Sequence, residues 1–493
     1  MRNLLSLLLI LAVGLGYAQE SSTDSKTILD VNLEEVVVSS RVIDVAKERE
    51  TPIAVSTISA QEVLLKVGNQ EFPEIMNKTP GVYATKQGGG YGDSRISLRG
   101  FDQRNTSFLI NGQPVNDMEN GWVYWSNWQG LTDVTSNIQI QRGLGATSLA
   151  VPSVGGTVSI FTKSAEKAQG GSLTQMIGND GYIKTTGIYN TGVNDKGWSS
   201  SYLLTKWSGN GYIYNTSGAG WTYFAAVGYT PEGSAHSLNL SVLGAGQWHH
   251  QRDVWVSIRD YQNFGKEGID QRWNTNGGTL NGEEYNLRRN FYNKPLATLN
   301  WDWDISDNVQ LNTSLYGSAG RGGGTGPRGR NYYEGSIDML PFRKDLTEHY
   351  LENGRGTRDS NGFINFDAVV AHNSQYDIGS NNDKTYARDI LVRRASMNSH
   401  NWIGGISKLN IQSGKMRYSL GVDLRNYTGY HYRAMNDLLG LDGYASTGNQ
   451  YLPTQIYGAD DLVVAKPFQN TNIDDDQAKI AYYNIGYVKW AGV

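Results

Sequence analysis

From about Gly170 onward apolar residues recur at every second position, and this period of two is the tightest constraint on what the chain folds into. Ala297, Leu299, Trp301, Trp303 and Ile305 alternate with Thr298, Asn300, Asp302 and Asp304. Met416, Tyr418, Leu420, Val422 and Leu424 alternate in the same way with Arg417, Ser419, Gly421, Asp423 and Arg425. Such segments are strands with one apolar and one polar face. Their connections are uneven: short turns at 306–308 and 412–415 against long stretches at 246–294, 319–397 and 431–478. Connections that long are rare in a compact soluble domain, whereas a transmembrane barrel has short turns at one rim and long loops at the other. Trp198, Trp207, Tyr229, Trp303, Tyr427 and Trp490 are placed to form aromatic girdles at strand ends. A secreted soluble β-protein is the alternative that alternation alone leaves open.

The start of the chain adds direction. Met1 and Arg2 precede an apolar run from Leu4 to Leu15 and then Gly16 and Ala18, the pattern of a signal peptide cleaved after Ala18. No later run reaches the roughly 20 apolar residues of a transmembrane helix, so a closed barrel is the remaining way to span a membrane. With 59 Gly, 30 Tyr and 13 Trp in 493 residues and only 18% charged residues, the composition suits that architecture. The absence of cysteine rules out disulfides and thiolate chemistry. A net charge of -4 without a basic cluster argues against nucleic acid as a partner. The glycine-rich stretch 320–330 lacks the Gly-Lys-Ser/Thr ending of a phosphate loop and reads as a mobile outside loop. With neither a Gly-x-Ser-x-Gly elbow nor a His-Glu-x-x-His helix, neither an enzyme nor a cofactor is expected.

Residues 36–165 have a different, α+β character. Ser59 to Glu62 form a capping-box pattern ahead of an apolar run that Gly68 stops. A second helix is expected from Glu71 to Lys78, burying Phe72, Ile75 and Met76. Arg95–Arg99 and Ser107–Ile110 read as a hairpin around Asp102–Thr106, and Asn111-Gly112 as a tight turn. Such a hairpin brings the stretches 86–94 and 116–130 together at its far end. These hold Gln87, Tyr91, Trp122, Tyr124, Trp125 and Trp128, a candidate ligand platform that packing within the domain explains equally well. His249 and His250 are neighbours and point to opposite faces of any strand, so they read as loop residues rather than a chelating pair. Asp359, Asn361, Asn365 and Asp367, with 472–477 farther on, have spacings that can hold calcium, but the same residue types build turns.

Four stretches in order, LEEVVVSSR, IMNKTPGVYATKQGGGYGDSRISLRG, FLINGQPVND and IQIQRGLGATSLAVPSVGGTVSIFTK, resemble the plug domain of TonB-dependent outer-membrane receptors. The resemblance implies an α+β plug inside a transmembrane antiparallel β-barrel of the outer membrane. It also implies outer-membrane lipid around the wall, a small nutrient ligand, and energy from TonB with ExbB and ExbD. Glu35, Val36, Val37, Val38 and Ser39 match the TonB box. Arg99 and Gly100 match the Arg-Gly pair closing a plug strand, and Arg142, Gly143, Gly155 and Gly156 match the family's IQRG…GG signature. Gly155 and Gly156 are expected to permit close approach as the chain leaves the plug sheet for Ile160 and the first barrel strand. The commonest family ligand is a ferric siderophore; peptides, glycans, haem and cobalamin use the same plug. The resemblance divides the chain into a signal peptide at 1–18, a tail at 19–35, a plug at 36–165 and barrel strands at 170–493. A plugged barrel has about 22 strands, and this stretch holds about ten, so the barrel is expected to be incomplete in this chain. A passive channel or a surface adhesion protein is the competing class.

Overall fold

A computed structural model describes residues 54–87, 90–143, 153–162, 168–253, 256–266, 268–329, 332–333, 336–337, 358–375, 391–446, 455–467 and 481–492. The chain divides into two units, Met1–Val37 and Val38–Val493, and every described residue belongs to the second. The signal peptide, Glu35–Ser39 and the stretch 472–477 lie outside the described residues.

In chain order the first domain comprises β1 (Val55–Ser59), α1 (Ala60–Val67), β2 (Val82–Lys86), β3 (Ser94–Leu98), β4 (Phe101–Asp102), β5 (Thr106–Ile110), β6 (Gln113–Pro114), α2 (Leu131–Val134), β7 (Thr135–Arg142) and β8 (Gly156–Thr162). The capping box starts α1: Ser59 Oγ accepts from the Glu62 N–H, and the Glu62 carboxylate accepts from the Ser59 N–H. Such a cap stabilises a helix by about 1 kcal/mol. The helix expected at 71–78 is a tighter 3-10 turn over Phe72–Lys78, with Phe72, Ile75 and Met76 buried as expected.

The hairpin is corrected. β3 pairs with β2 and β4, while β5 lies in a second sheet of order β1-β7-β8-β5-β6. Arg99 and Gly100, at φ 53° and 81°, turn the chain back at once, so β3 meets the two-residue β4 instead of reaching β5. All five residues of β5 are buried, which demands neighbours on both edges. β8 supplies one in parallel and β6 the other. Gly156 thus opens the last plug strand rather than a barrel strand.

The remainder comprises β9 (Gly170–Ile177), β10 (Ile183–Asn190), β11 (Trp198–Gly209), β12 (Gly218–Tyr229), β13 (His236–His250), α3 (Ile258–Asn263), β14 (Gly277–Leu280), β15 (Glu283–Asn286), β16 (Arg289–Asn293), β17 (Leu296–Ser306), β18 (Val309–Gly329), β19 (Ile364–Asn365), α4 (Phe366–Asn373), β20 (Leu391–Ser413), β21 (Met416–Asp437) and β22 (Ala481–Gly492). Eleven of these strands form one sheet running from β9 to β22, with β16 and β17 sharing the place between β13 and β18. Among the described residues β9 and β22 are its two edges, and the sheet does not close.

Its faces are inverted relative to a soluble protein. On β21 Leu420 is 73% exposed and Arg425 8%; on β17 Ile305 is 44% exposed and Asp302 7%. Apolar side chains that face outward along a whole sheet require an apolar solvent, which is lipid. The opposite face packs on the first domain, where Leu203, Phe224, Leu243, Leu296, Trp402 and Tyr427 join one core with Trp125, Trp128 and Ile138. Trp198 and Tyr229, rings 4.6 Å apart, border the outward face near the short turns. Tyr229 pairs with Leu238, and Trp248 lies ten residues farther along β13. That is about 33 Å of strand, or about 25 Å of height at a tilt of about 40°, the depth of a lipid-facing band.

Three expectations change. Trp207 and Tyr427 are no girdle residues: both turn inward and are buried. The side chain of Trp490 lies outside those described. Residues 320–329 are not a loop but the upper part of β18, paired with β16 and β20. Glycine is needed there because wall rings lie against the strand: a Cβ on Gly320 would meet the His400 ring at 2.2 Å, and one on Gly322 the Tyr292 ring at 2.4 Å. His249 and His250 belong to β13 and are buried, one facing the plug and the other Glu284. The long connections carry a core of their own, in which Asn373 Nδ2 donates to Leu391 O and Leu439 O, both at 2.8 Å, beside Phe366 and Val369.

Leu240 faces outward in mid-band. Leu240→Arg should cost about 2–4 kcal/mol of folded stability in a bilayer, read as a lowered denaturant midpoint in lipid vesicles; an unchanged midpoint would mean the face does not meet lipid.

Candidate functional site

Two plug segments reach the end of the sheet that carries the long connections. Asp93 Oδ2 lies 3.4 Å from Nε2 of His249, next to the end of β13, and also accepts from the Gln251 side chain. Tyr91 packs on Tyr182 and Trp207, with centroids at 6.0 and 4.9 Å. Burial pushes its phenol up to about 12. In the second segment Glu119 Oε1 accepts from Tyr427 Oη at 2.8 Å and lies 2.9 Å from His431 Nε2. Although the expected hairpin is absent, the two segments do meet: a Cβ on Gly92 would lie 3.1 Å from Ser126 Cβ, and just beyond the first segment the Arg95 guanidinium sits 4.1 Å over the Trp122 ring.

The aromatic candidates separate into two groups. Trp125 is 2% exposed, donates from Nε1 to Gln103 Oε1 at 3.0 Å, and packs between Phe72 and Phe108. Trp128 is likewise buried. These two are core. Trp122 is half-buried, held between Arg95 and Arg104, the latter 4.8 Å away. Tyr124 is 50% exposed, and its Oη accepts from Asn120 Nδ2 at 2.9 Å. Gln87 is exposed and donates to Thr85 Oγ1 at 3.0 Å. The open part of the platform is therefore Trp122, Tyr124, Arg95 and Arg104, the last with its guanidinium paired to the Asp102 carboxylate. Sequence reading passed over both arginines, although each lies within four residues of the Arg-Gly turn.

Glu71, which sequence reading also missed, stands at the start of the 3-10 turn over Phe72–Lys78. Its Oε1 accepts from the Gly92 N–H at 2.7 Å and from Gln129 Nε2 at 3.4 Å, joining both segments to the first helical turn. Burial raises its carboxyl above the usual 4.5, opposed by the charge of Lys86. Nearby, the carboxylate of Asp133 pairs with Lys184 of the wall, both side chains 9% exposed.

The motif residues gather elsewhere in the plug. Arg142 Nη1 donates to Pro80 O at 3.3 Å, the Gly143 N–H to Gly155 O at 2.8 Å, and the Gly155 N–H to Asn105 O at 2.9 Å. A Cβ on Gly143 would lie 2.6 Å from Arg99 Nη1, and one on Gly156 2.1 Å from Gln141 O. These glycines let four chain segments cross at one point. The calcium candidates are occupied by turn bonds: Asp359 Oδ1 accepts from the Asn361 and Phe363 N–H groups, both at 2.9 Å, and Asp367 Oδ1 from the Asn281 N–H. Asn365 caps α4. Among the described residues no group of three acidic, His or Cys side chains could hold a metal.

Residues 47–157 match the family model of the TonB-dependent receptor plug domain. Residues 47–157 are thus a plug domain of the TonB-dependent receptor type. It is 30% identical to the ferric enterobactin receptor of Pseudomonas aeruginosa over 139 residues, covering 26% of this chain and 19% of that one. It is 22% identical to the vitamin B12 transporter BtuB of Vibrio vulnificus over 316 residues, 61% of this chain and 47% of the relative. The fold is similar to that of the unliganded ferric citrate transporter FecA, with TM-score 0.52 and 16% identity over 82% of this chain and 51% of FecA. The chain thus spans about half the length, or less, of these receptors. Its first domain is the plug, and its sheet has the fold of the wall of these outer-membrane receptors.

The two groups of tryptophans are separable by mutation. Trp125→Ala should cost about 3–5 kcal/mol, seen as a lower thermal midpoint, whereas Trp122→Ala should cost about 1 kcal/mol, the size of its cation–π contacts. Equal losses would put both in the core. The raised Glu71 carboxyl binds protons more readily in the folded plug, so its contribution is full below pH 4.5 and lost as pH rises through the folded value. Glu71→Gln should flatten the fall in urea midpoint between pH 5 and pH 8; an identical slope in the variant would assign the dependence to another group.

Proposed function

We propose that this receptor takes up a scarce small nutrient, an iron chelate of the siderophore type, and that TonB with ExbB and ExbD supplies the energy. The observation carrying this reading is the open plug surface of Trp122, Tyr124, Arg95 and Arg104, which lies at the end of the wall bearing the long connections. Aromatic faces and guanidinium groups together suit a planar, anionic chelate. Similarity to receptors named for ferric enterobactin and ferric citrate supports the same class.

Energy coupling falls to Glu35–Ser39. Three β-branched residues in a row favour an extended chain, ready to add as a strand to a partner's sheet edge. Pulling there would draw on the plug through β1, which follows in the chain. A passive channel would need no such segment.

Val37→Pro removes a backbone donor from that strand. Cells carrying the variant should bind a ferric catecholate at the surface with unchanged affinity and lose at least 90% of its energised uptake, measured with radioactive iron, as an order-of-magnitude expectation. Undiminished uptake would remove the TonB box from this segment, and absence of binding in the parent receptor would remove the catecholate.

A further inference from the structure

The inward face of β21 carries a notch that fits a carboxylate. Tyr427, Gly429 and His431 alternate onto that face, with Tyr427 in the core that the wall shares with the plug. Tyr427 Oη donates to Glu119 Oε1 at 2.8 Å, and His431 Nε2 lies 2.9 Å from both oxygens of the same carboxylate. A carboxylate beside Nε2 selects the N–H at that nitrogen. Gly429 stands between the two groups and leaves the room: a Cβ there would come within 2.2 Å of Glu119 Oε1. Both groups are held from behind. The Tyr427 ring packs on His400 and Trp402, with centroids at 5.7 and 6.2 Å, and His431 Nδ1 lies 2.9 Å from Asn398 Oδ1 on β20. The wall thus fixes a hydroxyl and an imidazole around a gap, an arrangement that recognises a planar oxyanion.

The carboxylate in the notch belongs to the plug and hangs there from a loop tip. The turn beneath it is closed within the plug by the Asp117 N–H to Trp122 O at 2.8 Å, the Gly121 N–H to Asp117 O at 2.9 Å and the Glu119 N–H to Asp117 Oδ1 at 2.9 Å. The loop therefore keeps its form without the wall. Its tip, Glu119 and Asn120, is exposed, and water reaches the contact itself, since the His431 and Glu119 side chains are 23% and 19% exposed. Three residues of chain span at most about 11 Å, so a ligand lying on Trp122 has the notch within reach. A second carboxylate arriving there replaces the hydrogen bonds that Glu119 gives up, and Glu119 regains its own from water.

We propose that Glu119 is a resident substitute for a carboxylate of the ligand: the incoming carboxylate takes the Tyr427–His431 notch, and Glu119 with its loop is released from the wall. This rests on the reading of the 116–124 surface as ligand-facing and narrows the chelate to one that carries a free carboxylate. The test is equilibrium dialysis of the detergent-solubilised full chain with radiolabelled citrate, and with catechol as the carboxylate-free comparison. Glu119→Ala should bind citrate at least fivefold more tightly than the parent, because the internal competitor is gone. Adding Tyr427→Phe, which keeps the ring and removes the hydroxyl, should bring that gain below twofold, and catechol should show no gain in either variant. Far-UV circular dichroism checks that both variants keep their sheet. Citrate binding in folded Glu119→Ala no tighter than in the parent, a gain that survives Tyr427→Phe, or an equal gain for catechol would each overturn the proposal. Dialysis needs neither TonB nor a catecholate complex, so these outcomes are separate from those of the Val37→Pro uptake measurement.

Discussion

The wall's backbone must be satisfied strand to strand while its apolar side chains face outward, and the rest of the structure follows from that inversion. In hydrocarbon an unpaired N–H or C=O costs several kcal/mol, so the strands pair with their neighbours along their length. β20 and β21 run in register from Ser413↔Met416 to Arg393↔Asp437, broken only where the register shifts beside Arg393. Alternation then sends Thr298, Asp302, Lys408 and Arg425 inward, where they are buried. A buried polar face needs partners. Asn312 Nδ2 donates to Asp302 Oδ1 at 2.7 Å, and Arg425 is held by the Asp423 carboxylate.

The plug fills that interior with two kinds of contact. One is apolar: Trp125, Trp128 and Ile138 meet Leu243, Leu296 and Trp402 of the wall in a shared core. The other is a small set of polar links, Asp93 to His249, Glu119 to Tyr427 and His431, and Asp133 to Lys184. Breaking a buried ion pair by removing one partner costs about 3–5 kcal/mol, so the Asp133–Lys184 pair weighs heavily in holding α2 to β10. Polar links also re-form with water once exposed, which an apolar interface cannot do. A plug held by both is stable at rest and separable under force.

How much of this was legible in the sequence depends on how local each signal is. The alternation of Met416 to Arg425 was legible because face and period are properties of one strand. The Ser59 capping box and the buried face of Phe72, Ile75 and Met76 were legible for the same reason. Strand partners were not: the residues of β3 and β5 look like a hairpin, and only the positive φ of Arg99 and Gly100 redirects the chain into β4. The glycines of 320–329 were misread because composition does not distinguish a flexible loop from a strand that accommodates the Tyr292 and His400 rings. Of the six ligand candidates, Trp125 and Trp128 went to the core and Trp122 and Tyr124 to the surface, a split set by Gln103, Phe72 and Phe108, far apart in the chain. Glu71 gave no local signal, since its importance lies in the Gly92 and Gln129 groups it binds.

The segment 116–124 ties these levels together. Asn116 fixes its base by donating to Gln103 O, Thr106 O and Gly121 O and accepting from the Phe108 N–H, so the loop is rigid at its root. From that root Glu119 points to the wall at Tyr427 and His431, while Trp122 and Tyr124 present the open surface. A force on Trp122 therefore acts, three residues away, on the carboxylate that fastens this loop to β21. Rotation of the loop to admit a ligand would lengthen the Glu119 bonds before it disturbed the Trp125 core, because the exposed links have less packing around them. The proposed binding surface and the plug fastening thus share one short piece of backbone, and a change at the first reaches the second without passing through the core.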